Sequence, residues 1–90
     1  MNPDQYLAKL LDDAKHLDQR NQDVERFVTK LEKFIASAPP ADKQAAVRDQ
    51  RFVTDRNSPP PGMFGFTSFW QCEWRYDAQG RLSVSVEYVT

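Results

Sequence analysis

The sequence predicts a small α+β domain, on three observations. A seven-residue apolar repeat runs from Leu7 to Ala38 with no Gly or Pro inside it, which predicts helix. The last third of the chain switches to a period of two, which predicts strands. Between the two strand runs, Asp77-Ala78-Gln79-Gly80 has the composition of a hairpin turn. Ninety residues make a single domain with a modest core, so oligomerisation would be a natural supplement to its stability.

The first helix is expected over residues 3–38. Asn2 can cap it, Pro3 suits the first turn, Asp4 complements the positive end and Gln5 can complete a capping box. Pro39-Pro40 closes it. Leu7, Ala14, Asn21, Val28 and Ile35 occupy one position of the heptad; Leu10, Leu17, Val24, Leu31 and Ala38 occupy the other. The run Asp18–Asp23 has no apolar residue, so a helical hairpin turning there, with Asp23 as second cap, competes with one continuous helix. The continuous helix would span roughly 47 Å, well beyond the size of its own domain. Because heptad phase is kept across residues 18–23, the pattern favours continuity, with the overhang covered by a second copy. That assigns Leu7, Leu10, Leu11, Ala14, Leu17 and Asn21 to a dimer or partner interface. A buried Asn21 would fix register, and Asn21→Leu would then raise stability and loosen the oligomer distribution.

After Asp23 the stripe widens through Phe27 and Phe34, a breadth that suits packing on a sheet. Residues 41–52 read as a short polar helix, with Phe52-Val53-Thr54 as an alternative strand. Residues 55–62, rich in Pro, read as a stiff linker.

Residues 63–90 read as an antiparallel hairpin. Phe64, Phe66, Trp70, Cys72, Trp74 and Tyr76 fall on even positions, as do Leu82, Val84, Val86 and Tyr88. A type I turn with Gly80 in a left-handed bulge pairs Asp77 with Arg81. Trp74 then meets Val84, Cys72 meets Val86 and Trp70 meets Tyr88, so turn chemistry and burial agree. The aromatic face needs a cover, and the wide half of the first helix is the obvious one.

Composition narrows the function. Acidic and basic residues nearly cancel, giving a net charge of −1, which argues against a nucleic-acid or membrane surface. No apolar stretch reaches the roughly 20 residues of a membrane span, and the N-terminus does not resemble a signal peptide. A lone cysteine fits a reducing compartment, so the expected location is cytoplasmic. His16, the only histidine, follows Asp12 and Asp13 but lies off the apolar seam, which reads as a solvated face and not a general base. Cys72 lies on the apolar face, where a thiol is inert. His, Cys and carboxylate spacing predicts no metal site, and the glycines form no phosphate loop. Trp70, Trp74 and Tyr76 have only Arg75 and Arg81 near them in sequence, which favours core over a stacking platform. Phe69 and Val89 fall on the polar face opposite each other. With Met63 they are candidate anchors for a partner, or cover for the residue 41–52 helix.

The expected function is a non-enzymatic protein–protein interaction module without cofactor, dimeric, that binds another protein and adapts, regulates or inhibits it. The alternatives are an assembly component whose helix serves oligomerisation only, and a small-ligand binder using the aromatic sheet face.

Overall fold

The computed structural model describes residues 1–57, 61–62, 65 and 67–90. Three helices precede a three-stranded antiparallel sheet: α1 (Pro3–Lys15), α2 (Gln22–Ser37), α3 (Pro40–Asp49), β1 (Arg51–Asn57), β2 (Ser68–Tyr76) and β3 (Leu82–Val89). The strand order is β1-β2-β3, so β2 is central and both outer strands leave an edge. The α+β class expected from the sequence is the observed one.

The continuous helix does not form. The chain turns between α1 and α2, and the polar run that breaks the apolar stripe builds the turn. Gln19 Nε2 donates to the carbonyls of Ala14, which also accepts from the Leu17 N–H, and of Leu17, just past the end of α1. Asp18 accepts from the Arg20 backbone and guanidinium. Asn21, not Asp23, caps α2 by accepting from the Asp23 and Val24 backbone N–H groups. Asn21 is therefore exposed and outside any helix seam. The expected capping box at Asn2 and Gln5 is present at the start of α1.

Folding α1 back along α2 removes the overhang that called for a second copy. Leu7, Leu10 and Ala14 are buried in the chain's own core, and Leu11 and Leu17 are half-buried. The assignment to a dimer or partner interface is corrected for Leu7, Leu10 and Ala14, which lack accessible surface, and Asn21 is a helix cap, not a seam residue. Burying Leu7 and Leu10 contributes about 1.5–3 kcal/mol each.

The short helix expected over residues 41–52 is α3, which begins at Pro40. It ends at Asp49, and Gln50 enters the left-handed region at φ 55° to close it. Residues 51–57 then form β1, so the strand reading of Phe52–Thr54 holds and extends, and the expected 55–62 linker loses Asp55–Asn57 to the sheet. Pro61–Gly62 is a turn. Met63, Phe64 and Phe66, assigned to the hairpin and its anchors, lie outside the described residues.

The β2–β3 register is the expected one, running from Phe69–Val89 to Tyr76–Leu82 and including Trp70–Tyr88, Cys72–Val86 and Trp74–Val84. Asp77 N–H donates to the Arg81 carbonyl at 2.9 Å, and Gly80 adopts φ 79° as the bulge requires. On the other side β1 aligns Phe52 with Cys72 and Thr54 with Trp70. One face of the sheet thus gathers Phe52, Cys72 and Trp74, all buried.

Both α1 and α2 close over that face. The Trp74 ring lies 6.3 Å from Phe27, 6.2 Å from Phe52 and 6.4 Å from Tyr6, centroid to centroid. Phe34 stacks on Phe52 at 4.7 Å. The indole N–H of Trp74 donates to the Tyr6 hydroxyl at 3.2 Å, so the buried donor is satisfied. Tyr76 donates to the Asp13 carboxylate at 2.7 Å, and Lys9 pairs with the same group. α3 packs on α1, helped by the Lys43–Asp4 ion pair.

Replacing Asn21 by Ala or Leu is expected to lower unfolding stability by about 1 kcal/mol, because each removes the cap of α2. Urea denaturation checks it; a stabilised Asn21→Leu variant would return Asn21 to a buried seam.

Candidate functional site

Among the described residues, none covers the face of the sheet opposite the helices. Its odd positions, among them Arg51, Glu73, Arg75, Ser83, Ser85 and Glu87, are exposed. At one end this face turns apolar: Phe69 pairs with Val89, both half-buried, and Val53 on β1 is 37% exposed. The Arg56 guanidinium lies 5.6 Å from the Phe69 ring centroid. The sequence placed Phe69 and Val89 opposite each other on the polar face, and they are.

α3 does not close over this corner. A groove of about 500 Å³ remains between the helix and the sheet, running around the β1 edge. Its apolar floor includes Phe34, Ala46, Phe52, Val53 and Phe69. Asp42 and Asp49 rim it from α3, and Arg51 and Arg56 rim it from β1. The small Ala45 and Ala46 keep the helix side shallow. Sequence reasoning missed this groove, because it forms only once residues 51–57 become a strand beside the short helix. At the other end of the open face a second depression, of about 360 Å³, is polar and includes Arg51, Glu73, Arg75, Ser83 and Ser85.

β1 itself is held in an irregular shape. Its register slips between Thr54 and Asn57, and Asp55 sits at φ 55°, a conformation that Asp tolerates better than most residues. The slip turns the Asp55 carboxylate toward α2, where it pairs with Lys33, accepts from Lys30 at 2.9 Å and accepts from the Thr54 hydroxyl. Lys33, then Lys30, hold its pKa down, from the ordinary 3.8 to about 2.

The remaining candidates stand apart from these surfaces. His16 is exposed and its Nδ1 lies 2.7 Å from the Asp12 carbonyl oxygen, with no carboxylate orienting it among the described contacts. Asp13, read as part of a solvated face, instead accepts from Tyr76 and Lys9; these bonds, Lys9 foremost, lower its pKa. Burial above all pushes Cys72 up to about 12, so the thiolate is not populated near neutrality. The aromatic sheet face is core at Phe52 and Trp74, which are covered on that face by the helices. Trp70 differs from the sequence expectation: Lys30 and Arg26 reach over it from α2, at 4.5 and 5.4 Å from the ring centroid. These cations come from far along the chain, so proximity in sequence could not reveal them. Among the described residues no group of His, Cys, Asp or Glu could hold a metal ion, and no helix is long and apolar enough to cross a membrane.

No protein-family model, curated protein or solved structure matches the chain.

The Asp55 pKa makes a directional prediction. A carboxylate titrating lower in the folded chain than in the unfolded chain contributes stability that is complete above the ordinary value of 3.8 and lost as pH falls to about 2. Asp55→Asn should therefore lower the urea midpoint at neutral pH, and the gap from wild type should close on acidification through that window. A gap that persists unchanged at the acid end would contradict the ion-pair account.

Proposed function

We propose that this chain is a non-enzymatic protein-binding module that adapts, regulates or inhibits the protein it engages. The binding element is the apolar corner of Phe69, Val53 and Val89 together with the groove beneath α3. The carrying observation is the juxtaposition of Phe69, which lies apart from the buried cluster around Trp74, with the groove floor, an apolar surface among the described residues. Such a surface suits one or two large apolar side chains of a partner, which are the anchors that dominate protein interfaces. The rim carries charges of both signs, Asp42 and Asp49 facing Arg51 and Arg56, as a rim that sets orientation does.

The geometry gives less to the two alternatives. An assembly role through the helix seam lacks accessible surface, since Leu7, Leu10 and Ala14 are internal. A ligand site on the aromatic face meets the same obstacle at Phe52 and Trp74.

Phe69→Ala tests the reading. A protein captured by the wild-type chain should bind the variant at least about tenfold more weakly, a loss of about 1.4 kcal/mol. The variant's far-ultraviolet dichroism and melting should stay close to wild type, because Phe69 lies outside the buried cluster. Unchanged binding by a folded Phe69→Ala chain would overturn the assignment of the site.

A further inference from the structure

The sheet has two edges, and they are built differently. β1 carries the devices that discourage pairing: a register slip, a left-handed Asp55 bound to α2, and Arg51 and Arg56 along the strand. β3 carries none of them. It runs without a bulge through its whole pairing with β2, and Leu82–Val89 contains no Pro, Lys or Arg.

The hairpin fixes which backbone groups this edge offers. Asp77 N–H donates to the Arg81 carbonyl, which makes that pair a hydrogen-bonded one. By alternation Ser83, Ser85, Glu87 and Val89 bond to β2, and the N–H and C=O groups of Leu82, Val84, Val86 and Tyr88 point outward from the sheet. The side chains of these same four residues lie on the helix face and are only partly covered; Tyr88 is 47% exposed.

The strand is complementary to itself. In an antiparallel two-fold pairing centred on Ser85, Val84 meets Val86 of the second copy and Leu82 meets Tyr88, all on the helix face. On the open face Ser83 meets Glu87 and Ser85 meets Ser85. Every outward-pointing backbone group of Leu82, Val84, Val86 and Tyr88 finds a partner, and the one charge, Glu87, faces a hydroxyl. Other symmetric registers leave more of the strand unpaired or pair it less well. A centre at Val84 opposes Arg81 to Glu87 but carries Tyr88 past the start of the second strand, opposite Gly80 of the turn. A centre at Val86 opposes Ser83 to Val89 and leaves Leu82 without a strand residue opposite; a centre at Glu87 brings two carboxylates together. A net charge of −1 gives two copies little mutual repulsion.

We propose that a second copy of this chain adds to β3 by antiparallel pairing about a two-fold axis at Ser85, joining two sheets into one. The interface is isologous, so it closes at the dimer and hides both β3 edges. It is separate from the Phe69 groove, and neither reading rests on the other.

Cysteine cross-linking tests both the dimer and its register. Ser85 pairs with its copy at a non-hydrogen-bonded position, where Cα atoms approach to about 4.5 Å, within disulfide range. Ser85→Cys, Ser83→Cys and Glu87→Cys are compared under mild oxidation, with sedimentation of the wild-type chain alongside. Cys72 is buried and does not compete. The expected result is a wild-type dimer, with Ser85→Cys forming the interchain disulfide about tenfold faster than the other two. A monomeric wild type at micromolar concentration, or cross-linking that is equal at the three positions or fastest at another, would overturn the proposal.

Discussion

The burial of Trp74 is the constraint on which the other contacts depend. Its indole lies where α1, α2, β1 and β2 converge, against Tyr6, Phe27 and Phe52. A side chain of this size is the largest single apolar contribution available to a domain of ninety residues, and its N–H must find an acceptor once water is excluded. The Tyr6 hydroxyl supplies that acceptor, which fixes where α1 lies on the sheet. With Phe27 and Phe34 covering Phe52, α2 is fixed as well. Truncating Trp74 or Phe27 belongs to the class of core changes that costs about 3–5 kcal/mol, a large part of what a small domain has.

That geometry decides which surfaces remain. Because both helices lie on one side, no described residue covers the other side of the sheet, and its polar and apolar ends divide. Because α3 leaves the sheet to pack on α1, a groove persists beside Phe69. Because Asp55 ties β1 to α2 through Lys30 and Lys33, one sheet edge is irregular while β3 remains straight. The proposed binding corner and the proposed dimer edge both follow from how the core is closed.

The hairpin was legible in the sequence because two independent signals coincide there. The turn chemistry of Asp77 and Gly80 sets the pairing, and only that parity puts Trp74, Cys72 and Val86 on one face. The helical repeat misled for a physical reason. A heptad reports that Leu7, Leu10, Leu31 and Ile35 each face something apolar, but not whether a turn intervenes, and phase retained across Asp18–Asp23 does not require helix there. The capping capacity of Asn21 was the better signal, since a side chain that caps a helix need not fill a seam. β1 was half hidden because only Phe52 and Thr54 of its seven residues are buried, too short an alternation to stand out among charges. The groove and the cations over Trp70 depend on long-range packing, and no local pattern encodes them.

Leu7, Leu10 and Ala14 are buried within this chain's own core. Amide hydrogen exchange followed against protein concentration tests this burial most directly. Protection of the α1 amides should match that of central β2 and stay constant on dilution, since both rest on the same intrachain packing around Trp74. Protection at Leu7, Leu10 and Ala14 that falls on dilution while β2 remains protected would contradict the account and return those residues to an intermolecular seam.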